Sequence, residues 1–246
     1  VTGPVGALPA ADRREHLAAG LATVRRRIEV ACADSGRDPG EVTLVVVTKF
    51  FPASDLALLA GLGVADIGEN RDQEASAKLA ELAAVDPSAR ASLRVHFIGQ
   101  LQTNKAASVA RYADMVHSLD RDRLGTALAQ GAQRAGRVLD VLVQVGLDGA
   151  AGRGGVAPEQ VPALADRVAA AQGLRLRGLM AVAPLDADPD AAFAALAALG
   201  GDLRERHPEA SVLSAGMSGD LEAAVRHGAT HLRVGSAILG SRPGTR

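Results

Sequence analysis

Eight short apolar runs, separated by longer amphipathic stretches, constrain this chain more than any other feature. The runs fall at 42–48, 65–68, 95–98, 115–118, 138–145, 176–181, 211–214 and 231–234. Helical periodicity fills the intervals, most clearly at 54–60, 72–84, 121–135, 158–171 and 188–206. Strands that alternate with helices imply a parallel sheet, because parallel neighbours need a long crossover. Eight such units favour closure into a barrel over an open sheet, and no GxGxxG follows the first strand as a dinucleotide fold would require. The 246 residues also match one complete (β/α)8 barrel, which takes roughly 250. The expected fold is α/β: a single (β/α)8 TIM-type barrel over about 42–240, one domain, with an extra N-terminal helix over about 10–35 that caps or flanks it.

Charge and cysteine usage exclude several function classes. A net charge of −1 gives no electrostatic footprint for nucleic acid or an acidic membrane surface. The run Arg25-Arg26-Arg27 sits in a helical pattern and reads as a solvated face. The single cysteine, Cys32, has no internal disulfide partner and reads as a packed thiol in a reducing, cytoplasmic compartment. No apolar run approaches the ~18 residues of a membrane span, and no signal peptide is evident. The six histidines show no HExxH or other ligand spacing, so no metal site is expected.

The lysines carry the first chemical signal. Three lysines, Lys49, Lys78 and Lys105, stand against 24 arginines. Arginine has displaced lysine nearly everywhere that a bare positive charge sufficed, and it cannot serve where a deprotonatable amine is needed. Lys49 ends the first strand, so a barrel points it into the mouth. Apolar neighbours there favour the neutral amine that forms a Schiff base. Lys78 lies in a helix and is expected to be solvated, while Lys105 follows Gln102-Thr103-Asn104 at a helix start and stays ambiguous.

Two loops supply the second signal. After the seventh strand, Ser214-Ala215-Gly216-Met217-Ser218-Gly219-Asp220 leads into a helix, with Ser218 as its expected N-cap. After the eighth, Arg233-Val234-Gly235-Ser236 opens a further short helical segment. Gly216 and Gly235 allow close backbone approach, and Ser218 and Ser236 add hydroxyl donors. TIM-type barrels often hold a ligand phosphate on these same two loops. Arg233 belongs at the carboxyl end of the eighth strand, either facing the mouth or paired with a carboxylate across the barrel. Asn70 closes the second strand, placed to bond a ligand or to cap the next helix. His96, on the third strand, reads as structural. The glycine-rich segment 148–155 follows the fifth strand on the active-site face.

Taken together, VVVTKFFPA around Lys49, IGENRDQEA at 67–75, HFIGQLQTNK at 96–105, HSLDR at 117–121, LRLRGLMAVAP at 174–184, LSAGMSGDLEAAV at 213–225 and HLRVGSAILG at 231–240 resemble the YggS/PROSC-type family of pyridoxal 5′-phosphate (PLP) homeostasis proteins. The resemblance spans about 42–240 and supplies the cofactor's name, which spacing alone does not. It implies a fold like the N-terminal barrel of alanine racemase, with PLP as a Schiff base on Lys49. Phosphate contacts would lie around Gly216–Ser218 and Gly235–Ser236, and Arg233 would sit beside the pyridine nitrogen. A guanidinium there leaves that nitrogen unprotonated and the ring a poorer electron sink. Asn70 is the candidate partner for the ring hydroxyl. Such proteins are regarded as carriers or regulators of vitamin B6, with apo-PLP enzymes as candidate recipients. Many carry an asparagine where this chain has Gly146.

Two enzyme readings compete. A PLP-dependent amino-acid racemase needs a second acid/base on the opposite face of the cofactor, and the only tyrosine, Tyr112, precedes the fourth strand in a helical stretch. A class I aldolase would use the same lysine and phosphate site without PLP. The expectation is a cytoplasmic, monomeric, non-catalytic PLP carrier.

Overall fold

The computed structural model describes residues 9–148, 154–184 and 187–241, so residues 149–153 of the glycine-rich segment lie outside the described part. Eight parallel strands close into a barrel in sequence order: β1 Thr43–Val47, β2 Asp66–Glu69, β3 Arg94–Phe97, β4 Met115–Leu119, β5 Leu139–Gln144, β6 Leu174–Met180, β7 Val212–Ser214 and β8 His231–Val234. Closure is completed by β8 pairing with β1, where Thr43 to Val46 run beside His231 to Val234. The helices are α1 Ala10–Asp34, α2 Ala53–Gly61, α3 Asp72–Val85, α4 Pro87–Ser92, α5 Ala106–Tyr112, α6 Asp122–Arg134, α7 Val161–Ala170, α8 Pro189–Arg206, α9 Leu221–Arg226 and α10 Ser236–Leu239. The expected barrel and leading helix are both present, with boundaries shifted by a few residues.

Strand alternation divides the side chains between two environments. Outward residues such as Val46, Ile67, Val95, Val141, Leu179, Leu213 and Leu232 join one apolar core with the helices. Inward positions form the barrel's own filling. On the β4–β7 side these include Met115, Leu142, Met180 and Val212, which pack together. Gly68 faces the side chains of Val45, Val47 and Ile98. The remaining interior is polar, with His96 and His117 buried beside Ser214 and Arg233.

Helix α1 buries Leu17, Leu21, Val24, Ile28 and Ala31, a 4-3-4-3 spacing that draws one stripe along it. It packs against α9 and α10 on the outside of the barrel. At the crossing, a Cβ on Gly20 would come within 2.7 Å of the Ile238 carbonyl oxygen, so only glycine allows this approach. Arg13 fixes the start of the helix through a forked pair to Asp55, the shortest contact 2.6 Å, and a bond to the Leu239 carbonyl. Cys32 packs in the same stripe, fully buried, and burial pushes its thiol up. The arginine run is not uniformly solvated: Arg25 and Arg26 are exposed, but Arg27 pairs with Glu222 at 2.7 Å and donates to the Ser218 carbonyl.

Candidate functional site

Lys49 leaves the end of β1 in a tight turn that the sequence does not announce. The Phe51 N–H returns to the Thr48 carbonyl at 3.1 Å, closing a four-residue turn with Lys49 and Phe50 at its centre. Phe50 occupies it with φ +71°, the one positive φ outside glycine among the described residues. Such a conformation is unfavourable for a bulky residue and persists only where its surroundings over-determine it.

The surroundings are supplied by Lys78. Its ammonium donates to the Thr48 carbonyl at 2.9 Å, to Glu69 Oε1 at 2.8 Å and to Glu74 Oε1 at 3.1 Å. Glu69 also accepts the Thr48 hydroxyl at 2.6 Å, and Glu74 accepts the Phe50 N–H. Lys78 is therefore buried beneath the turn, not solvated as its helical setting suggests. The cause is simple: α3 turns this face onto the ends of β1 and β2, where Glu69 meets the amine and Glu74 reaches it from one turn earlier on the same helix. Burial pushes the Glu69 carboxyl up, with the charge and hydrogen bond of Lys78 opposing, and its second oxygen has no partner among the described residues.

The loops after β7 and β8 meet across the mouth from Lys49. Gly216, at φ +86°, turns the first loop; a Cβ there would lie 2.5 Å from that of Ala224. Ser218 is not the N-cap. Helix α9 starts at Leu221 with Asp220 in that position, and the Asp220 carboxylate accepts the Met217 N–H at 2.6 Å. With Asp220 in that place, the Ser218 hydroxyl lies 3.3 Å from that of Ser236. The backbone N–H groups of Ser218 and Gly219 are not engaged by any described residue. Gly235 lies against β1, where a Cβ would approach the Val47 carbonyl oxygen at 3.1 Å.

Arg233 is almost fully buried and points inward from β8. It donates to Ser214 Oγ at 2.6 Å and to the Ala181 carbonyl at 2.9 Å, with no carboxylate partner among the described residues. Burial pulls its guanidinium down to about 10, with Asp220 pulling the other way, so it stays cationic at neutral pH.

Lys49, Ser218, Arg233, Gly235 and Ser236 line one cleft of about 340 Å3, bounded by Val47, Phe50, Phe51, Ile98 and Met217. That volume lies within the range of small-molecule sites, about 300–1,000 Å3. Gly216 does not line it but turns the loop that carries Met217 and Ser218. Asn70 lines a neighbouring cleft with Arg71, Gln100, Gln102 and Lys105, and does not cap a helix, since α3 begins after Arg71. An amine, a fixed cation, two hydroxyls and unengaged N–H groups around one space fit a small anionic aldehyde such as PLP.

Neither the bracing role of Lys78 nor the interior polar group is legible in the sequence. The i, i+4 spacing of Glu74 and Lys78 signals an ion pair, but not its burial. His96, His117 and Ser214 come from three strands, and no linear spacing connects them.

Residues 36–243 match the family model described as alanine racemase, N-terminal domain. The chain is 46% identical over 245 residues to the pyridoxal phosphate homeostasis protein of Mycobacterium tuberculosis, covering 94% of this chain and 95% of that one. It is 36% identical over 229 residues to the protein of the same name in Escherichia coli, covering 92% and 97%. PipY of Synechococcus elongatus PCC7942, solved with PLP bound, aligns with a TM-score of 0.77 at 33% identity over 91% of this chain and 100% of that one. The chain thus belongs to the pyridoxal phosphate homeostasis protein family, built on the alanine racemase N-terminal domain.

Proposed function

We propose that this protein binds PLP on Lys49 and serves as a cytoplasmic carrier and regulator of the cofactor, with apo-PLP enzymes as recipients. The observation that carries the reading is the convergence of the Lys49 amine, Arg233 and the Ser218 and Ser236 loops on one cleft. Bound there, PLP supplies an aldehyde that condenses with a primary amine and releases water.

The chain's own residues account for retention without turnover. Lys78 and its carboxylates hold the turn that presents Lys49. The Ser218 and Ser236 hydroxyls, together with the free N–H groups of the first loop, receive a phosphate. Gly216 and Gly235 let that backbone come close. Arg233 offers only donors to whatever ring lies between, since a guanidinium has no accepting lone pair at neutral pH.

Among the described residues that line the cleft, Lys49 and Arg233 are the only ionisable side chains, which supports a carrier over a racemase. Tyr112 lies outside the cleft, and burial followed by the charge of Asp72 pushes its hydroxyl up, away from proton transfer at neutral pH. Borohydride reduction of protein incubated with PLP, followed by peptide mass spectrometry, tests the assignment. The pyridoxyl adduct is expected on Lys49, with the yellow colour lost in Lys49→Ala. An adduct on Lys78 or Lys105 instead overturns the site, and clear racemisation of alanine or serine overturns the non-catalytic role.

A further inference from the structure

Five buried groups, contributed by β2, β3, β4, β7 and β8, form an unbroken line through the barrel. Arg233 donates to Ser214 Oγ at 2.6 Å. Ser214 Oγ lies 2.9 Å from His117 Nδ1. His117 Nε2 lies 2.8 Å from His96 Nδ1, and His96 Nε2 lies 2.8 Å from Asp66 Oδ1. Asp66, at the start of β2, also accepts a forked pair from Arg94 at 2.7 Å on each oxygen.

We propose that this line is a one-way hydrogen-bond chain, running Arg233→Ser214→His117→His96→Asp66, and that Asp66 is a positioning residue for the guanidinium in the cofactor cleft. The polarity follows from the two ends. A guanidinium can only donate, and a carboxylate gripped by Arg94 can only accept. Ser214 takes the Arg233 proton on a lone pair, so its own hydroxyl hydrogen is free for His117 Nδ1. His117 must then carry its proton on Nε2 and give it to His96 Nδ1. His96 in turn carries its proton on Nε2 and gives it to Asp66. Every group between the ends donates once and accepts once along the line.

Charge placement agrees with this order. Burial alone would raise the Asp66 carboxyl, but the bonds from His96 and Arg94 together hold it below its ordinary value. His117 is pushed well below the ordinary imidazole range by burial, and further by His96, Arg233 and His231. Its neutral ring is what a donate-once, accept-once relay requires. Protonating it would aim a second N–H at Ser214 and leave the serine hydrogen without an acceptor along the chain. The neighbouring His231 ring, 6.3 Å from that of His117, is itself lowered by burial, His96, Arg94 and Arg177, with Asp66 opposing.

The consequence concerns Arg233, which has no carboxylate of its own among the described residues. Aligned dipoles polarise one another, so the chain carries the influence of the Asp66 charge to the cleft and fixes the guanidinium's direction. This deepens the proposed function and rests on it where PLP is concerned.

Nitrogen-15 labelling of histidine and long-range proton–nitrogen correlation on the cofactor-free protein test the polarity directly. His96 and His117 are each expected to carry a single proton, on Nε2, because each must accept at Nδ1 and donate at Nε2. Either ring protonated on Nδ1, or on both nitrogens, overturns the chain. Asp66→Asn offers either a donor or an acceptor to His96, so the single tautomer should be lost there. In PLP-loaded protein, whose loading is checked by the trapped adduct on Lys49, Asp66→Asn and Ser214→Ala should both displace the cofactor's absorption maximum. Unchanged maxima in both overturn the positioning role. If PLP fails to bind while the wild-type tautomers are as stated, the proposed function falls and the polarity stands.

Discussion

Replacing Lys78 by methionine tests whether the brace under Lys49 is as buried and as charged as its contacts state. Lys78→Met removes three donated hydrogen bonds and leaves Glu69 fully buried, one oxygen already without a partner. Breaking one half of a buried ion pair costs about 3–5 kcal/mol, because the remaining charge is left uncompensated. An unfolding entropy of about 2.1 cal/mol/K per residue gives about 0.5 kcal/mol/K for a chain of this size, hence a fall in melting temperature of roughly 6–10 °C at pH 7. The loss should depend on pH in a defined direction. Burial already raises the Glu69 carboxyl, and without Lys78 it rises further. An acid whose folded pKa is raised keeps full stability below its unfolded value, about 4.3, and loses it as pH climbs through the folded value. The gap between variant and wild type should therefore be smallest near pH 5 and widest at about pH 7–8. Lys78→Met/Glu69→Gln should recover part of it. Thermal melts followed by circular dichroism across that range read all three variants. A shift of under about 2 °C at pH 7, or a gap that does not change with pH, refutes the reasoning.

Two further outcomes follow from the same interior. Gly99→Ala should cost about 3 kcal/mol or more by urea unfolding, since its Cβ would stand 2.2 Å from the Asn70 carbonyl oxygen, a backbone atom that cannot swing aside. His231 is held down to about 4, chiefly by burial, so its contribution is present above the unfolded value of about 6.5 and lost as pH falls through 4. Melts from pH 7 to 4 should show this decline, and His231→Gln should make it shallower; parallel profiles would contradict it.

Much of the architecture was legible before any coordinates. Eight apolar runs at barrel spacing implied the closed sheet, and all eight strands fall where those runs lie. Helix α4 escaped notice although Asp86-Pro87 carries its start signal, with the Asp86 carboxylate accepting the Ala89 N–H at 2.9 Å. Six residues are too short for periodicity to register. Lys49 stood out because lysine is scarce, and the two serine–glycine loops because of their place in the topology.

The sequence by itself settled where the strands lie and which amine stands at a strand end. Those are properties of one strand and its immediate neighbours, set by the two-residue period of extended backbone. The fate of a polar side chain was decided only when distant strands came together. Lys78 reads as a surface residue until α3 sets it against Thr48 and Glu69. His96 reads as structural and His117 carries no signal of its own until adjacent strands bring their ring nitrogens to 2.8 Å and Ser214 and Asp66 close the two ends. Burial and hydrogen-bond direction depend on every group lining a space, and no single segment of chain contains that information.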